Sequence, residues 1–182
     1  MHFDKVDFTG RPLTGLEFNG CTFKNCNFAN ANLSRTQIID CVFDTCNLGM
    51  ASLEGVKLEN ARFLNCKLIG VNFSRCVDFL FSVSFRNCSL DFTGFLKKKL
   101  KKTRFENCSI KEANFAECDL TEAVFADCDL SQTLFNRSIL NKADFRTAYH
   151  YAIDLELNSA RKTRFSATGL AGLLAKYDLV IE

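Results

Sequence analysis

Ten cysteines offer more chemistry than any other residue type in the chain. Thiolates bind soft metals, form disulfides and attack electrophiles. Their spacing suits a different job. None stands in a Cys-x-x-Cys, and Cys21/Cys41, Cys26/Cys46/Cys66 and Cys88/Cys108/Cys128 recur every twenty residues. Such sets would stack in columns on successive turns of a coil. Cys is small and buries well, so this pattern reads as an inward filler interchangeable with Ala, Thr and Val. The start, Met1-His2-Phe3-Asp4-Lys5, lacks the basic region and apolar run of an export signal, so reduced thiols and a cytoplasmic location are expected.

The remaining candidates for chemistry are sparse. His2 and His150 are far apart in sequence, and the phase of His150 predicts a core residue of a terminal coil. Glu112, Glu117, Asp119, Glu122, Asp127 and Asp129 cluster, but at phases that predict corners and outer faces, hence a solvated acidic surface. No Gly-rich phosphate loop, Ser/His/Asp set or paired His ligands occur. The expectation is a non-enzyme without cofactor or metal.

The element that positions these residues is a repeat. From Phe3, every fifth residue through Phe73 is Leu, Ile or Phe, although those types make up about a quarter of the chain. The series resumes two residues out of step at Leu80 and runs to Phe145. Two residues before each centre sits a second selected position, held mostly by Cys, Ala, Val, Thr or Ser. A step of five scatters residues around a helix and flips faces along a flat strand. Short extended pieces separated by corners reconcile the pattern. Phe3, Phe23, Phe43, Phe63, Phe85, Phe105, Phe125, Phe145 and Phe165 form one series at steps of twenty, once the insertion is skipped. Four pentads per turn follow, and coils at ~4.8 Å spacing give a rod of ~38 Å.

Units such as Cys26-Asn27-Phe28-Ala29-Asn30, Ala31-Asn32-Leu33-Ser34-Arg35 and Cys118-Asp119-Leu120-Thr121-Glu122 resemble the A(D/N)LXX units of the pentapeptide-repeat family. The resemblance implies an all-β, right-handed quadrilateral β-helix over residues 1–145. Residues 146–182 read as a final coil and cap. Arg146–Asn158 is an irregular connection, Ser166 a helix N-cap candidate, and Leu170, Leu173, Leu174 and Tyr177 belong to a short helix. Asp178–Glu182, including Leu179 and Ile181, reads as a last strand. A helix-plus-strand tail is similar to the Qnr/MfpA branch, which implies a homodimer through the C-terminus. That branch also implies binding of DNA gyrase or topoisomerase IV by imitation of duplex DNA, with protection from quinolones. A structural scaffold for another protein is the alternative.

Two stretches break the pattern. In Ser74–Ser84 the register slips, leaving Phe79 and Phe81 off the column, exposed or filling a bulge. In Leu96–Lys102, Lys98 occupies an inward position, which predicts a locally opened or outward-displaced chain, because a buried unpaired ammonium is costly. Charge is segregated: Ser74–Ile110 carries eight basic and three acidic residues, Lys111–Phe145 three basic and seven acidic. The net charge of +2 is too small for a strong global field, so direct nucleic-acid binding through Lys97, Lys99, Lys101 and Lys102 is a weak alternative. The partner expected is a protein. No membrane partner is expected, because no apolar run is long enough to cross a bilayer.

Overall fold

The computed structural model describes residues 1–177, 179 and 180. Its strands are β1 (His2–Asp4), β2 (Glu17–Asn19), β3 (Thr22–Lys24), β4 (Gln37–Ile39), β5 (Val42–Asp44), β6 (Lys57–Glu59), β7 (Ala61–Leu64), β8 (Val83–Arg86), β9 (Arg104–Glu106) and β10 (Val124–Ala126). They form two parallel sheets, ordered β1-β3-β5-β7-β8-β9-β10 and β2-β4-β6. Phe3 lies opposite Phe23, Phe23 opposite Phe43 and Phe43 opposite Phe63, so one lap takes twenty residues. Phe63 lies opposite Phe85, which absorbs the two-residue insertion. Isolated parallel bridges such as Asn32–Ser52, Lys99–Asp119 and Asp144–Arg164 continue the ladder on the other sides and past residue 145. The fold is a right-handed quadrilateral β-helix.

Each position of the pentad has a physical reason. The centre buries a large apolar side chain, as Phe23, Leu58 and Phe105 do. Two residues earlier, a small side chain faces inward, and several of the Cys, Thr and Ser there reach a carbonyl of the preceding coil. Thr36 Oγ1 donates to the Leu13 carbonyl at 2.9 Å, Ser138 Oγ to Phe115 at 2.8 Å and Cys66 Sγ to Phe43 at 3.4 Å. Between them, Asn or Asp accepts from the backbone N–H two residues on and so leads the chain into the next corner. Asn32 accepts from Ser34 at 3.0 Å, and Asp119 from Thr121 at 3.1 Å. Two residues after the centre the backbone turns left-handed, with φ of 54° at Asn25, 53° at Asp40 and 51° at Asn107. Asn and Asp tolerate that region best among residues with a side chain.

All ten cysteines are free and buried. Burial pushes the thiols of Cys76 and Cys118 up to about 12, so both stay protonated at neutral pH.

Four expectations need correction. Leu80 is not a core centre but is 51% exposed, with φ of 59°. The ladder shows why: Val77 N–H still donates to Val56, but Ser82 donates to Leu58, so Asp78–Phe81 leave the coil as a projecting turn. Within that turn Phe79 is exposed, while Phe81 packs partly against the core. Lys98 is neither displaced nor unpaired; it is 2% exposed. His150 is exposed instead of buried, because the chain turns left-handed there and Tyr151 takes the inward place. Leu179 and Val180 lie outside any strand; Asp178, Ile181 and Glu182 of the expected last strand lie outside the described residues.

Candidate functional site

The interior is filled, so whatever the chain recognises must meet its outer surface. The acidic cluster does not form one face. Glu112, Glu117, Glu122 and Asp127 stand at left-handed corner positions, while Asp119 and Asp129 lie mid-side in bridges to Lys99 and Ser109 on the coil before. Within one lap the six carboxylates therefore surround the rod. The basic run is stacked against them: Lys97 meets Glu117 at 3.7 Å, Lys101 meets Asp119 at 3.2 Å and Lys102 meets Glu122 at 3.8 Å. Lys142 approaches Glu122 from the other side at 3.6 Å. Charge segregated along the sequence is thus matched coil on coil. Exposed pairs of this kind contribute ~0–1 kcal/mol each to stability, but they remove a one-signed field.

Lys98 ties this region to the projecting turn. Its Nζ donates to the Cys76 carbonyl and, at 2.6 Å, to Asp78 Oδ1, and lies 5.0 Å from the Phe81 ring centroid. Where Asp78–Phe81 leave the coil, the regular apolar filling stops. The lysine stem occupies that space, and its ammonium meets a carbonyl, a carboxylate and a ring face. Sequence reasoning missed Asp78 as the partner because the two residues are twenty apart across an irregular coil.

The tail closes the far end. Ser166 caps a 3-10 turn by accepting from Gly169 N–H at 3.1 Å, and α1 (Ala171–Leu174) follows. Leu173 packs partly on the core. Leu170, Leu173, Leu174 and Tyr177 line an apolar groove of about 360 Å3 with Leu155, edged by Glu156 and Lys176. Among the described residues, no group of three or more His, Cys, Asp or Glu is placed to hold a metal ion. No helix among them is long and apolar enough to cross a membrane.

The sequence model described as "Pentapeptide repeat region" matches residues 16–95 and 98–173, most of the chain. The chain belongs to the pentapeptide-repeat family. Among solved structures it is similar to a trypsin-treated variant of QnrB1, a plasmid-mediated fluoroquinolone resistance protein. That match has a TM-score of 0.66 and 16% identity, and covers 100% of this chain and 98% of the other. Full-length QnrB1 matches with a TM-score of 0.58 at 16% identity over 98% and 97%. HetL, a pentapeptide-repeat protein involved in heterocyst differentiation regulation in the cyanobacterium Nostoc, matches with a TM-score of 0.54 at 17% identity over 91% and 84%. At these identities the likeness shows the shared fold. No curated protein matches the sequence.

One polar cluster gives this pentapeptide-repeat rod an acid-sensitive joint. Asp129 accepts from the Ser131 hydroxyl at 2.6 Å, His150 Nδ1 at 3.0 Å and Lys111 Nζ at 3.2 Å. Burial pushes its carboxyl up, but the Ser131, His150 and Lys111 contacts outweigh that and hold it at about 2. A carboxylate depressed in the folded state stabilises above its unfolded pKa of 3.8, and loses that contribution as pH falls through about 2. About 2 kcal/mol should therefore disappear between pH ~4 and ~2. Urea unfolding across that range checks this. Asp129→Asn should flatten the pH dependence there, and an unchanged slope would refute the assignment.

Proposed function

We propose that the chain is a non-enzymatic, cytoplasmic rod that binds a protein partner along its outer faces. The observation that carries this reading is the filled solenoid. Phe, Leu and Cys columns occupy the interior, while the corner residues present a regular outer surface. DNA gyrase or topoisomerase IV is the first partner to test. In support, the likeness to the fluoroquinolone resistance protein QnrB1 runs the whole length of the chain. Glu112, Glu117, Asp119, Glu122, Asp127 and Asp129 would supply the DNA-like charge, and the apolar groove of the tail would join two copies.

The matched lysines favour a second reading, a scaffold for a different protein. Lys97, Lys101 and Lys102 neutralise the carboxylates that a duplex imitation needs. A supercoiling assay with purified gyrase separates the two. Inhibition of supercoiling, or rescue of gyrase from a fluoroquinolone, supports the topoisomerase reading; neither effect at micromolar protein eliminates it. Light scattering on the intact chain and on a chain lacking residues 166–182 tests the dimer, which is lost as an idea if both are monomers.

A further inference from the structure

The projecting turn is built in a way that packing alone does not explain. Asp78–Phe81 is closed by the Phe81 N–H donating to the Asp78 carbonyl at 3.3 Å. Its tip presents Phe79, 71% exposed, and Leu80 in a left-handed conformation that a leucine adopts at a cost. Val77 and Leu96 are exposed nearby. The turn is braced from inside by the one buried lysine. Strain, exposed apolar surface and a buried charge are thus combined to hold two large side chains out in solvent.

The surroundings say what they face. The next coil carries Lys97, Lys99, Lys101 and Lys102; Lys101 faces Asp119 at 3.2 Å and Lys102 faces Glu122 at 3.8 Å, while Lys99 has no ion pair among the described residues. Beside the turn lies an open groove of about 480 Å3 with Arg75 and Lys97 on its walls, together with Asn72, Ser74, Asp78 and Leu96. Arg75 and Lys97 are held only loosely, by Glu54 at 3.8 Å and Glu117 at 3.7 Å. The apolar tip projects from the ladder and the basic residues lie side by side on the adjacent coil, an arrangement open to a flat surface. We propose that this region is a peripheral docking site for an anionic lipid surface. Phe79 and Leu80 enter the interface, the lysines stand over acidic headgroups, and a headgroup phosphate sits between Arg75 and Lys97. Two weak signals, apolar insertion and basic attraction, together give reversible attachment. The absence of a membrane-spanning run does not bear on this, because a peripheral site needs none. The proposal is independent of the protein-partner reading.

Cosedimentation of the full chain with vesicles tests it, comparing pure phosphatidylcholine with a mixture containing about one-third phosphatidylglycerol in ~0.1 M salt. Binding to the anionic vesicles alone is expected. Phe79→Ser with Leu80→Ser should weaken it at least ~10-fold and K99Q by about fivefold; K101Q and K102Q should weaken it less, because each lysine also faces a carboxylate. Lys98→Met keeps the stem but frees the turn, and should weaken binding while the circular dichroism of the rod is unchanged. Three results would overturn the idea: no binding to anionic vesicles, equal binding to neutral ones, or full binding by the Phe79/Leu80 double variant. Displacement by duplex DNA as effectively as by lipid would show instead a general polyanion site, and would also overturn it.

Discussion

Phe105→Ala is expected to lower the stability of the rod by about 3–5 kcal/mol, the range for emptying a buried aromatic site. Phe105 has no exposed surface and sits midway in the axial column. Its ring stacks on Phe85 at 5.3 Å and Phe125 at 4.8 Å, and meets Phe95 and Phe115 edge-on at 6.1 and 5.7 Å. Truncation removes all four ring contacts and leaves a hole that parallel ladders on either side hold open. The neighbours are tied at fixed coil spacing and cannot collapse inward. Phe3 provides the contrast. It is only partly buried, stacks on one ring, Phe23, at 4.9 Å, and meets Phe8 and Phe18 edge-on, with no coil on its other side, so Phe3→Ala should cost less than half as much. Phe79→Ala, at the exposed tip, should stay within about 0.5 kcal/mol of the parent. Urea midpoints for the three variants check the order. Equal losses at Phe3 and Phe105 would contradict a continuous column whose strength comes from neighbours on both sides.

The rod was legible because one position in five is chosen by type. A pentad has room for one large side chain inside, and Phe23, Phe43 and Phe63 sit where steps of twenty put them. The cysteines were legible for the same reason: the inward site takes a small group, whether Ala, Val, Cys, Thr or Ser, and the last three can also donate to a carbonyl. Lys98 was misread because the rule for that site assumes a regular coil beside it. The turn at Asp78–Phe81 breaks the regularity and supplies both the space and the oxygens, so the penalty for an unpaired ammonium does not arise. Leu80 and His150 were misread because phase alone does not show where the chain steps off the ladder. The acidic cluster was visible as a run in the sequence. Its neutralisation was not, since Lys97 and Glu117 or Lys102 and Glu122 become neighbours only when twenty residues are wound into one lap.

That winding also determines where the tail can sit, and a single methyl group should dislodge it. A Cβ on Gly172 would lie 2.1 Å from the Tyr151 carbonyl oxygen and 3.0 Å from its Cδ2. The obstacle is backbone, so no rotamer change relieves it. Gly172 also accepts from the Ile153 N–H at 3.0 Å, which ties α1 to the last coil. Three residues earlier, a Cβ on Gly169 would meet the Tyr151 hydroxyl oxygen at 2.0 Å. Tyr151 cannot swing aside, because it is buried with its ring against Phe145 and Phe165, at 6.0 and 5.6 Å. The two glycines let the tail close over this ring. Gly172→Ala must therefore lift α1 away, at the ~1–3 kcal/mol typical of overpacking. The loss should be local, since the coils before Tyr151 keep their own ladder and columns. Faster amide exchange at Ile153 and proteolysis within residues 166–177 are expected, with the main urea transition little changed. Gly94→Ala is the comparison: there a Cβ meets the Asn72 side chain, Oδ1 at 2.8 Å and Cγ at 3.2 Å, and moving it costs the hydrogen bonds that Asn72 accepts from Ser74 but does not touch the tail. If Gly172→Ala leaves exchange and proteolysis at the level of Gly94→Ala, the tail is not docked through Tyr151. A tail released without unfolding the rod would separate the proposed joining of copies from the proposed binding by the outer faces.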